Sequence, residues 1–530
     1  MTSRAARVRA TASRIFGYDD LLPGQADATE ALLSGHDVLL VAPTGSGKSL
    51  VYLVGGVLTS GPTLVVSPLL ALQQDQIDAI EAAPGDVHAA RISSAETEGR
   101  RDEVLRRAAN GEIDYLFLAP EQLANDEVRE RLAELGVGLV AVDEAHCVSA
   151  WGHDFRPDYL RLGDQIAELG APRVVAMTAT AAPPVRDDIV ERLRLADPRT
   201  FVTGFARSNI ALKVERAADE ADQRSRVLDA VGDGCGIVYC RTRKATEEYA
   251  AALADRGVRA VVYHAGVAHR RREKAQDAFM AGEVDVVVAT SAFGMGIDKP
   301  DVRFVVHAQV PESPDTYYQE VGRAGRDGAP AAATLVYRPE DLSLGRFFSS
   351  AVPRRGDVER VLDAVAAGGA EPAEVAERTG LGRRKVARIL NLHDEAEQAV
   401  DSGDDPVHGV TRLAEARRKL ERSRVEMMRA YAETDRCRTE FLVGYFGEPL
   451  GERCGLCDNC RAGTAPEPSG GEGSPHAVSA RVRHEEFGTG VVTDIEADRL
   501  TVLFDEVGYR TLSLEVVTEQ ELLVPDDRPR

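Results

Sequence analysis

The segment APTGSGKS at residues 42–49 decides the fold of this chain. It follows an apolar run at 38–41 and precedes helical sequence, so it lies where a buried strand gives way to a helix. Its two glycines let backbone N–H groups approach a phosphate, and the helix N-terminus adds a favourable dipole. Lys48 supplies a cation for the β- and γ-phosphates, and the Ser49 hydroxyl can bind Mg²⁺. We therefore predict a nucleotide-binding loop whose contacts come from Thr44, Gly45, Ser46, Gly47, Lys48 and Ser49.

Short β-branched runs recur along the chain, each ending at a polar turn before helical sequence. Near-continuous apolar strands separated by helices are typical of parallel strands that are buried on both faces. The runs are 38–41, 64–66, 116–118, 139–142, 174–176, 237–239, 286–289 and 304–306. They divide around 201–214, which predicts an α/β protein with two RecA-like parallel-sheet lobes, at 15–205 and 206–350.

Composition and charge exclude several classes of protein. The chain has 530 residues, of which 44% are hydrophobic and 28% charged, which excludes general disorder, collagen-like repetition and a small disulfide scaffold. No run approaches the ~20 apolar residues that span a bilayer, and residues 1–14 lack an apolar signal core. We expect a flexible terminus at 1–14 and a soluble, cytoplasmic protein, nucleoid-associated if bacterial. The net charge of −22 argues against charge-driven coating of DNA, although a local basic track remains open.

An acidic pair follows the apolar run at 139–142. It belongs to the sequence DEAH, residues 143–146, about one hundred residues after the phosphate loop. Asp143 suits a Mg²⁺ ligand together with Ser49, and Glu144 suits a group that polarises the attacking water. The alternative, a solvated acidic loop, is weak beside a phosphate loop. The two features together predict ATP hydrolysis.

Two arginines lie one helical turn apart in the segment QEVGRAGRD, residues 319–327. Arg323 and Arg326 can therefore face the same way. If they face the first lobe across a cleft, one of them can stabilise the γ-phosphate as an arginine finger. A surface basic helix is the alternative, but such a helix does not need the flanking glycines. A nucleotide shared by both lobes would open and close the cleft as it is hydrolysed.

Four of the seven cysteines cluster near the end of the chain. Cys437, Cys454, Cys457 and Cys460 have the spacing C-x16-C-x2-C-x2-C, which predicts a structural zinc site with four thiolates. A redox or iron–sulfur role is the less favoured alternative. The remaining cysteines lie in apolar surroundings and suit core thiols.

Taken together, these segments resemble superfamily-2 helicases, and specifically the RecQ family of DNA helicases. The resemblance runs from about residue 16 to 346 and resumes at the cysteines. The matching segments are FGY at 16–18, PGQ at 23–25, the phosphate loop, SPL at 67–69, DQ at 75–76, APE at 119–121, the DEAH box, MTATA at 177–181, YCRT at 239–242, YHAG at 263–266, ATSAFGMGIDKP at 289–300 and the double-arginine segment.

The resemblance implies an enzyme that uses ATP and Mg²⁺ to unwind duplex DNA with 3′–5′ polarity in repair or recombination. By this likeness, Gln25 contacts the adenine edge, Arg326 is the arginine finger and Arg323 is a second phosphate contact. Gln319 joins the catalytic set, and His146 joins the set that couples DNA to hydrolysis. One departure is Leu21-Leu22, where the family usually has Phe-Arg, which weakens the expected nucleotide contact at that motif.

An aromatic segment, CVSAWGHDFRPDY at 147–159, follows the acidic pair directly. Bases stack on aromatic faces without needing a particular sequence. The segment resembles the coupling loop of RecQ helicases, in which Trp151, Phe155 and Arg156 would report bound DNA to the active site. The alternative is that the aromatic side chains only pack against the lobe, as those at 157–159 could.

About sixty residues are inserted between the second lobe and the cysteines. Residues 351–410 resemble a winged helix, with three predicted helices, a wing at 400–406, and Arg383, Arg384, Lys385 and Arg388 on the third helix. A spacer domain is an equal alternative, because the expected wing is acidic. A helical zinc subdomain is predicted at 411–462, and a flexible linker at 463–477. No counterpart of the family's downstream winged helix or HRDC domain is found.

Residues 478–530 alternate apolar and polar positions around FGTG, which predicts a small β-barrel. They resemble the Tudor-like domain that ends UvrD/PcrA-type helicases. That resemblance implies a protein partner such as RNA polymerase.

Two other functions stay open at this stage. An RNA helicase, or a translocase that moves on duplex DNA without unwinding it, would use the same engine. A DNA- or polymerase-binding regulator with a vestigial motor would belong to another class, and the intact acids, Lys48 and arginines weigh against it.

Overall fold

A computed structural model describes residues 3–68, 70–93, 96–149, 156–294, 297–348, 351–368, 372–399, 405–448, 450–467, 476–496 and 498–526. The chain divides into two compact units. The first comprises Met1–Arg338 with Tyr431–Pro468, and the second comprises Pro339–Ala430 with Ser469–Arg530. The first unit therefore contains the predicted first lobe, the predicted second lobe as far as Arg338, and the four clustered cysteines.

The first lobe is a seven-stranded parallel sheet with helices on its faces. Four of its strands are fully buried, as expected where helices cover both faces. The strands are β1 (Val38–Val41), β2 (Thr63–Val66), β3 (Ala89–Ile92), β4 (Tyr115–Leu118), β5 (Leu139–Val142), β6 (Arg173–Thr178) and β7 (Arg199–Val202), in the order β3-β4-β2-β5-β6-β1-β7. The helices are α1 (Arg4–Phe16), α2 (Gln25–Leu33), α3 (Ser49–Leu58), α4 (Leu70–Glu81), α5 (Glu98–Ala109), α6 (Pro120–Leu123), α7 (Asp126–Glu134), α8 (Leu162–Glu168) and α9 (Pro183–Arg192).

Helix α1 occupies the segment for which the sequence predicts a flexible terminus. Ser3 caps its N-terminus by accepting from the N–H of Ala6, and Gly17 ends it in the left-handed conformation. Val8, Ala12 and Phe16 are buried in the core of the first lobe. The buried residues recur at helical spacing, but the arginines between them make this apolar face hard to recognise in the sequence.

The second lobe repeats this design with six parallel strands. The strands are β8 (Ile210–Arg216), β9 (Cys235–Tyr239), β10 (Ala260–Tyr263), β11 (Val286–Ala289), β12 (Val302–His307) and β13 (Ala331–Tyr337), in the order β10-β11-β9-β12-β13-β8. The helices are α10 (Glu220–Asp229), α11 (Arg243–Asp255), α12 (His269–Met280) and α13 (Pro314–Val321). The prediction of two RecA-like lobes is confirmed. Because all the strands of a sheet run one way, their carboxyl ends bring together the loops that carry the motifs.

The second unit begins with five helices, α14 (Leu342–Phe348), α15 (Arg355–Ala366), α16 (Pro372–Thr379), α17 (Arg383–Ala399) and α18 (Pro406–Glu433). Helices α15, α16, α17 and the start of α18 share one apolar core. The described residues at 339–430 contain helices and no strand, and most of the expected wing, 400–404, lies outside the described residues. Helix α18 continues through the expected boundary at 410/411 and into the first unit.

The C-terminal part of the second unit is a five-stranded antiparallel sheet, as the alternating sequence predicts. Its strands are β14 (Arg481–His484), β15 (Gly488–Ile495), β16 (Arg499–Phe504), β17 (Gly508–Ser513) and β18 (Leu523–Pro525), in the order β17-β16-β15-β14-β18. The sheet docks on α18, where the N–H of Tyr509 donates to Oγ of Ser423 (2.9 Å). A Cβ at Gly508 would lie 2.3 Å from that oxygen, so this approach requires glycine.

The first unit also contains the zinc subdomain, with α19 (Arg438–Tyr445) and α20 (Asp458–Ala462). It is fixed to the second lobe, since Asp458 accepts from the N–H of Val214 (2.9 Å) and the Tyr445 hydroxyl donates to Asp315 (2.6 Å). It also contacts the first lobe, where Arg186 donates to the carbonyl oxygen of Phe446 (2.6 Å). Among the helices of the described ranges, none combines the length and the apolar character that crossing a membrane requires.

Candidate functional site

The phosphate loop connects β1 to α3 at the carboxyl edge of the first sheet. Gly45 and Gly47 have φ values of 82° and 65°, in the left-handed region that favours glycine. A Cβ at Gly47 would lie 2.8 Å from Nε2 of Gln25, so the second glycine is also required by space. Thr44, Ser46 and Ser49 complete the loop, and α3 begins at Ser49.

Lys48 is held inside this loop. Its Nζ donates to the carbonyl oxygens of Ala42 (2.9 Å) and Pro43 (3.2 Å). Burial lowers the pKa of Lys48, while the carboxylates of Glu144 and Asp143 act to raise it. The ammonium group is therefore poorly solvated and close to the acidic pair, where it can exchange its carbonyl partners for phosphate oxygens.

Asp143 follows β5 directly and is buried, and burial raises its pKa while Lys48 opposes that shift. Glu144 has φ 48°, a left-handed backbone that non-glycine residues rarely adopt. The N–H of Glu144 donates to the Asp143 carboxylate (3.0 Å). A strained backbone at an acidic pair is a common feature of active sites. Asp143 and Ser49 are the oxygen donors that suit Mg²⁺ here.

A chain of hydrogen bonds links the DEAH box to the second lobe. His146 Nδ1 lies 2.9 Å from Oγ1 of Thr178, and that hydroxyl donates to the carbonyl oxygen of Thr180 (3.0 Å). Gln319 of α13 then donates from Nε2 to Oγ1 of Thr180 (3.3 Å). His146 and Gln319, which the sequence assigns to coupling and catalysis, are thus joined through two threonines of the MTATA segment.

Arg326 lies over the phosphate loop. A Cβ at Gly45 would lie 3.3 Å from its Cγ, and burial lowers the pKa of the Arg326 guanidinium. Its Nη1 contacts the carboxylate of Asp298 at 2.5 Å. The second lobe also approaches the loop at Gly322, where a Cβ would lie 3.7 Å from Cβ of Thr44. The structure therefore brings an arginine of the second lobe to the loop that holds Lys48.

Arg323 is also buried, but it faces its own lobe. Its Nη1 donates to the carbonyl oxygen of Gly294, in the segment that follows β11. The structure thus separates the two arginines, with Arg326 against the loop and Arg323 on the backbone of the second lobe.

Two residues that position the double-arginine segment were not assigned from the sequence. Arg207 donates to the carbonyl oxygens of Gly322 (3.1 Å), Ala324 (3.0 Å) and Gly325 (3.1 Å). Asn209 donates from Nδ2 to those of Gly325 (2.7 Å) and Ala329 (2.9 Å). Together they fix the backbone on which Arg323 and Arg326 stand. The available signal was the sequence FARSN at 205–209, between the lobes, where polar side chains interrupt an otherwise apolar stretch.

Gln25 braces the phosphate loop. Its Nε2 donates to the carbonyl oxygens of Ser46 (3.0 Å) and Gly47 (2.9 Å), and its Oε1 accepts from the N–H of Leu22 (2.9 Å). The sequence predicts that the carboxamide of Gln25 contacts adenine. In the structure this carboxamide connects the phosphate loop to Leu22, which precedes α2. Leu22 contributes its backbone here, and its side chain is exposed.

The aromatic coupling loop is only partly described. Trp151 and Phe155 lie outside the described residues. Arg156 donates from Nη1 to the carbonyl oxygen of Pro68 (3.3 Å), in the SPL segment of the same lobe. Tyr159 is fully buried, so at this position the packing alternative holds.

The four clustered cysteines meet in space. The sulfur atoms of Cys437, Cys454, Cys457 and Cys460 all lie within 4.8 Å of one another. Backbone N–H groups point at them, from Cys454 to Sγ of Cys437 (3.4 Å) and from Cys457 to Sγ of Cys454 (3.4 Å). Such bonds favour thiolates, and four thiolates at this separation fit tetrahedral Zn²⁺ with no open position.

Three family profiles match the chain. The DEAD/DEAH box helicase profile matches residues 22–189, the helicase conserved C-terminal domain 222–328, and RecQ zinc-binding 394–461. The last match begins within α17, before the expected start of the zinc subdomain at 411.

Curated relatives match over most of the chain. The probable ATP-dependent DNA helicase RecS of Bacillus subtilis is 35% identical over 465 residues, which cover 86% of this chain and 92% of RecS. The RecQ helicase of the same organism is 33% identical over 96% of this chain and 76% of its own length. The Haemophilus influenzae RecQ helicase is 34% identical over 84% of this chain and 62% of its own length.

Solved structures support the fold. The Mycobacterium smegmatis helicase Lhr, bound to single-stranded DNA and AMP-PNP, gives a TM-score of 0.51 at 22% identity, over 74% of this chain and 57% of Lhr. The DUF1998 helicase MrfA bound to DNA gives 0.54 at 20% identity, over 65% of this chain and 50% of MrfA.

Proposed function

Because this chain belongs to the RecQ family of ATP-dependent DNA helicases, we propose that it hydrolyses ATP to separate duplex DNA, moving 3′ to 5′ along one strand during repair or recombination. Its cofactors are ATP, Mg²⁺ and Zn²⁺.

The composite phosphate site is the observation that carries this proposal. Lys48 and the acidic pair come from the first lobe, while Arg326 comes from the second and lies against Gly45. Loss of the γ-phosphate removes the charge that attracts Arg326, and the second lobe is then released from the loop. Alternate closure and release of two lobes is a hinge motion that can step along a strand.

Each residue has a defined task in this scheme. Lys48 neutralises charge on the β- and γ-phosphates, and Arg326 stabilises the charge that develops on the γ-phosphate in the transition state. Glu144 orients the attacking water and accepts its proton. Ser49 and Asp143 would hold Mg²⁺, which would neutralise phosphate charge and so lower the repulsion between the phosphate and the attacking water.

The decisive experiment measures ATP-dependent unwinding of duplexes that carry either a 3′ or a 5′ single-stranded tail. Unwinding of the 3′-tailed duplex alone supports the proposal. Hydrolysis stimulated by duplex DNA without strand separation indicates a translocase, preference for RNA indicates an RNA helicase, and no turnover indicates a regulator. Lys48→Ala is the matched inactive control, and we expect it to abolish DNA-stimulated hydrolysis while the protein still folds and binds zinc.

The C-terminal β module gives a second, separate proposal. We propose that residues 478–530 bind a protein partner such as RNA polymerase, as their resemblance to the Tudor-like domain implies, and so recruit the helicase to the nucleoid. The described part of this module exposes Val516 and Val524. Purified RNA polymerase should bind the full chain and not a chain that ends at residue 477. Equal binding by both chains would refute the assignment.

A further inference from the structure

Helices α16 and α17 have the form of a helix-turn-helix. They are joined by three residues, Gly380-Leu381-Gly382, and Gly380 has φ 68°, the left-handed conformation that permits so short a turn. Helix α15 completes a three-helix core in which Val361, Val375 and Ile389 are buried. In such a unit the second helix is the one that enters the major groove of duplex DNA, with its N-terminal half leading.

The exposed face of α17 is basic over its first turns. Arg384 is exposed, Arg388 and Asn391 are half-buried, and these three positions fall on one side at i, i+4 and i+7. Asp394 continues the same side one turn later, so the basic region is confined to the N-terminal half. Arginine contacts phosphates and guanine edges in the major groove, and asparagine contacts adenine edges there.

This charge distribution opposes the stability of the helix. The first turn of α17 contains no acidic residue, whereas Arg383, Arg384 and Lys385 stand at the end where the helix dipole favours anions. Lys385 has a carboxylate partner that reduces this repulsion, in Asp357 of α15. The acids of α17 lie toward its C-terminal end, where the dipole favours cations. A helix that served only as a spacer would gain stability from the reverse arrangement.

We propose that α17 is a second DNA-binding site, which holds duplex DNA through Arg384, Arg388 and Asn391, apart from the strand on which the motor moves. The inference rests on duplex DNA being the substrate of the proposed function. The occupant is chosen by charge complementarity, because this side of α17 carries solvent-accessible arginines in a chain whose net charge is −22. Exposed acids of the first helix of the pair, Glu374 and Glu377, confine the favourable contact to α17.

The test compares the full chain with Arg384→Gln/Arg388→Gln in binding to a blunt duplex without ATP, over a range of salt concentrations. Each phosphate contact adds about 1 to the slope of log affinity against log salt concentration, so loss of two contacts should lower this salt slope by about 2. When salt rises from 50 to 200 mM, the affinity of the variant should therefore fall by a factor about tenfold smaller than that of the wild type. The charge-matched control, Arg355→Gln/Lys419→Gln, removes two cations from the same unit outside α17 and should keep the wild-type slope. Arg384→Lys/Arg388→Lys should also keep it, because the charges remain.

Hydrolysis of ATP stimulated by single-stranded DNA separates this inference from the proposed function. We expect it to be unchanged in Arg384→Gln/Arg388→Gln, which also shows that the variant is folded. An unchanged salt slope in that variant, or an equal change in the control pair, would overturn the inference. A wild-type protein without DNA-stimulated hydrolysis would instead overturn the proposed function.

Discussion

Replacing Arg207 by alanine should displace Arg326 from its position over Gly45 and leave the phosphate loop itself unchanged. The guanidinium of Arg207 makes three hydrogen bonds, to the carbonyl oxygens of residues 322, 324 and 325, at 3.0–3.1 Å. Those carbonyls belong to the backbone between α13 and Arg326. Burial lowers the pKa of Arg207, but a guanidinium stays charged at neutral pH, so the bonds are charge-assisted.

The magnitude follows from these bonds. Hydrogen bonds to charged groups contribute about 1.5–3 kcal/mol each, and three bonds from one half-buried group are not independent. We take about 3 kcal/mol for the set, which corresponds to roughly 100-fold in an equilibrium. Since this free energy holds the segment in the conformation that places Arg326 over Gly45, kcat should fall by about 10- to 100-fold, below the ~10³-fold or more that loss of an arginine finger itself can produce. The ATP-binding contacts come from the first lobe, so KM should change by less than about threefold.

The assay is ATP hydrolysis at saturating single-stranded DNA, with kcat and KM measured separately. Arg199→Ala removes an exposed arginine of the nearby strand β7 and should leave both constants at their wild-type values. A thermal melt checks that Arg207→Ala is folded. Wild-type kcat in a folded Arg207→Ala protein would refute the reasoning, and so would loss confined to KM, because the effect would then act on the nucleotide loop.

Further predictions test other parts of the molecule. Gly47→Ala should weaken ATP binding at least ~10-fold in a titration with a fluorescent ATP analogue, because the added Cβ strains a left-handed backbone and lies 2.8 Å from Nε2 of Gln25. The control is Gly99→Ala, where a Cβ meets nothing within 4 Å, and it should bind ATP normally. Equal binding of ATP by the two variants would contradict the role of the Gln25 contact. Removing Zn²⁺ with a chelator should lower the melting temperature and expose thiols to a thiol reagent at Cys437, Cys454, Cys457 and Cys460; no new reactivity would argue against a zinc site. Asp357→Asn should destabilise the helical insert at pH 7, because Lys385 and then Arg360 lower the pKa of Asp357 and stabilise its carboxylate. That contribution is present above the unfolded pKa of about 4 and is lost as the pH falls through the lower folded value, so the difference between the two proteins should shrink in acid; a difference independent of pH would exclude the ion pairs as its cause.

The sequence by itself determined the engine and its cofactors. Phosphate binding, activation of water and zinc binding each require particular residue types at short, fixed spacings. The sequence therefore shows them directly, in the phosphate loop at 42–49, the acids at 143–144 and the four clustered cysteines. The apolar runs predicted two parallel-sheet lobes for a similar reason, since strands buried on both faces have little freedom in composition. The same logic predicted that one arginine of the pair at 323 and 326 would face the nucleotide across the two lobes, and the resemblance to RecQ helicases selected Arg326.

Only the tertiary structure decided which side chains support these groups. Arg207 serves carbonyls more than one hundred residues away, and any donor of the right length could have done so from another element. The carboxamide of Gln25 binds the loop itself, because its neighbours in space are the carbonyls of Ser46 and Gly47. Every residue has the same backbone carbonyl, whatever its side chain. Which side chain donates a hydrogen bond to that carbonyl therefore depends on the packing of the folded chain, and no local sequence pattern predicts it.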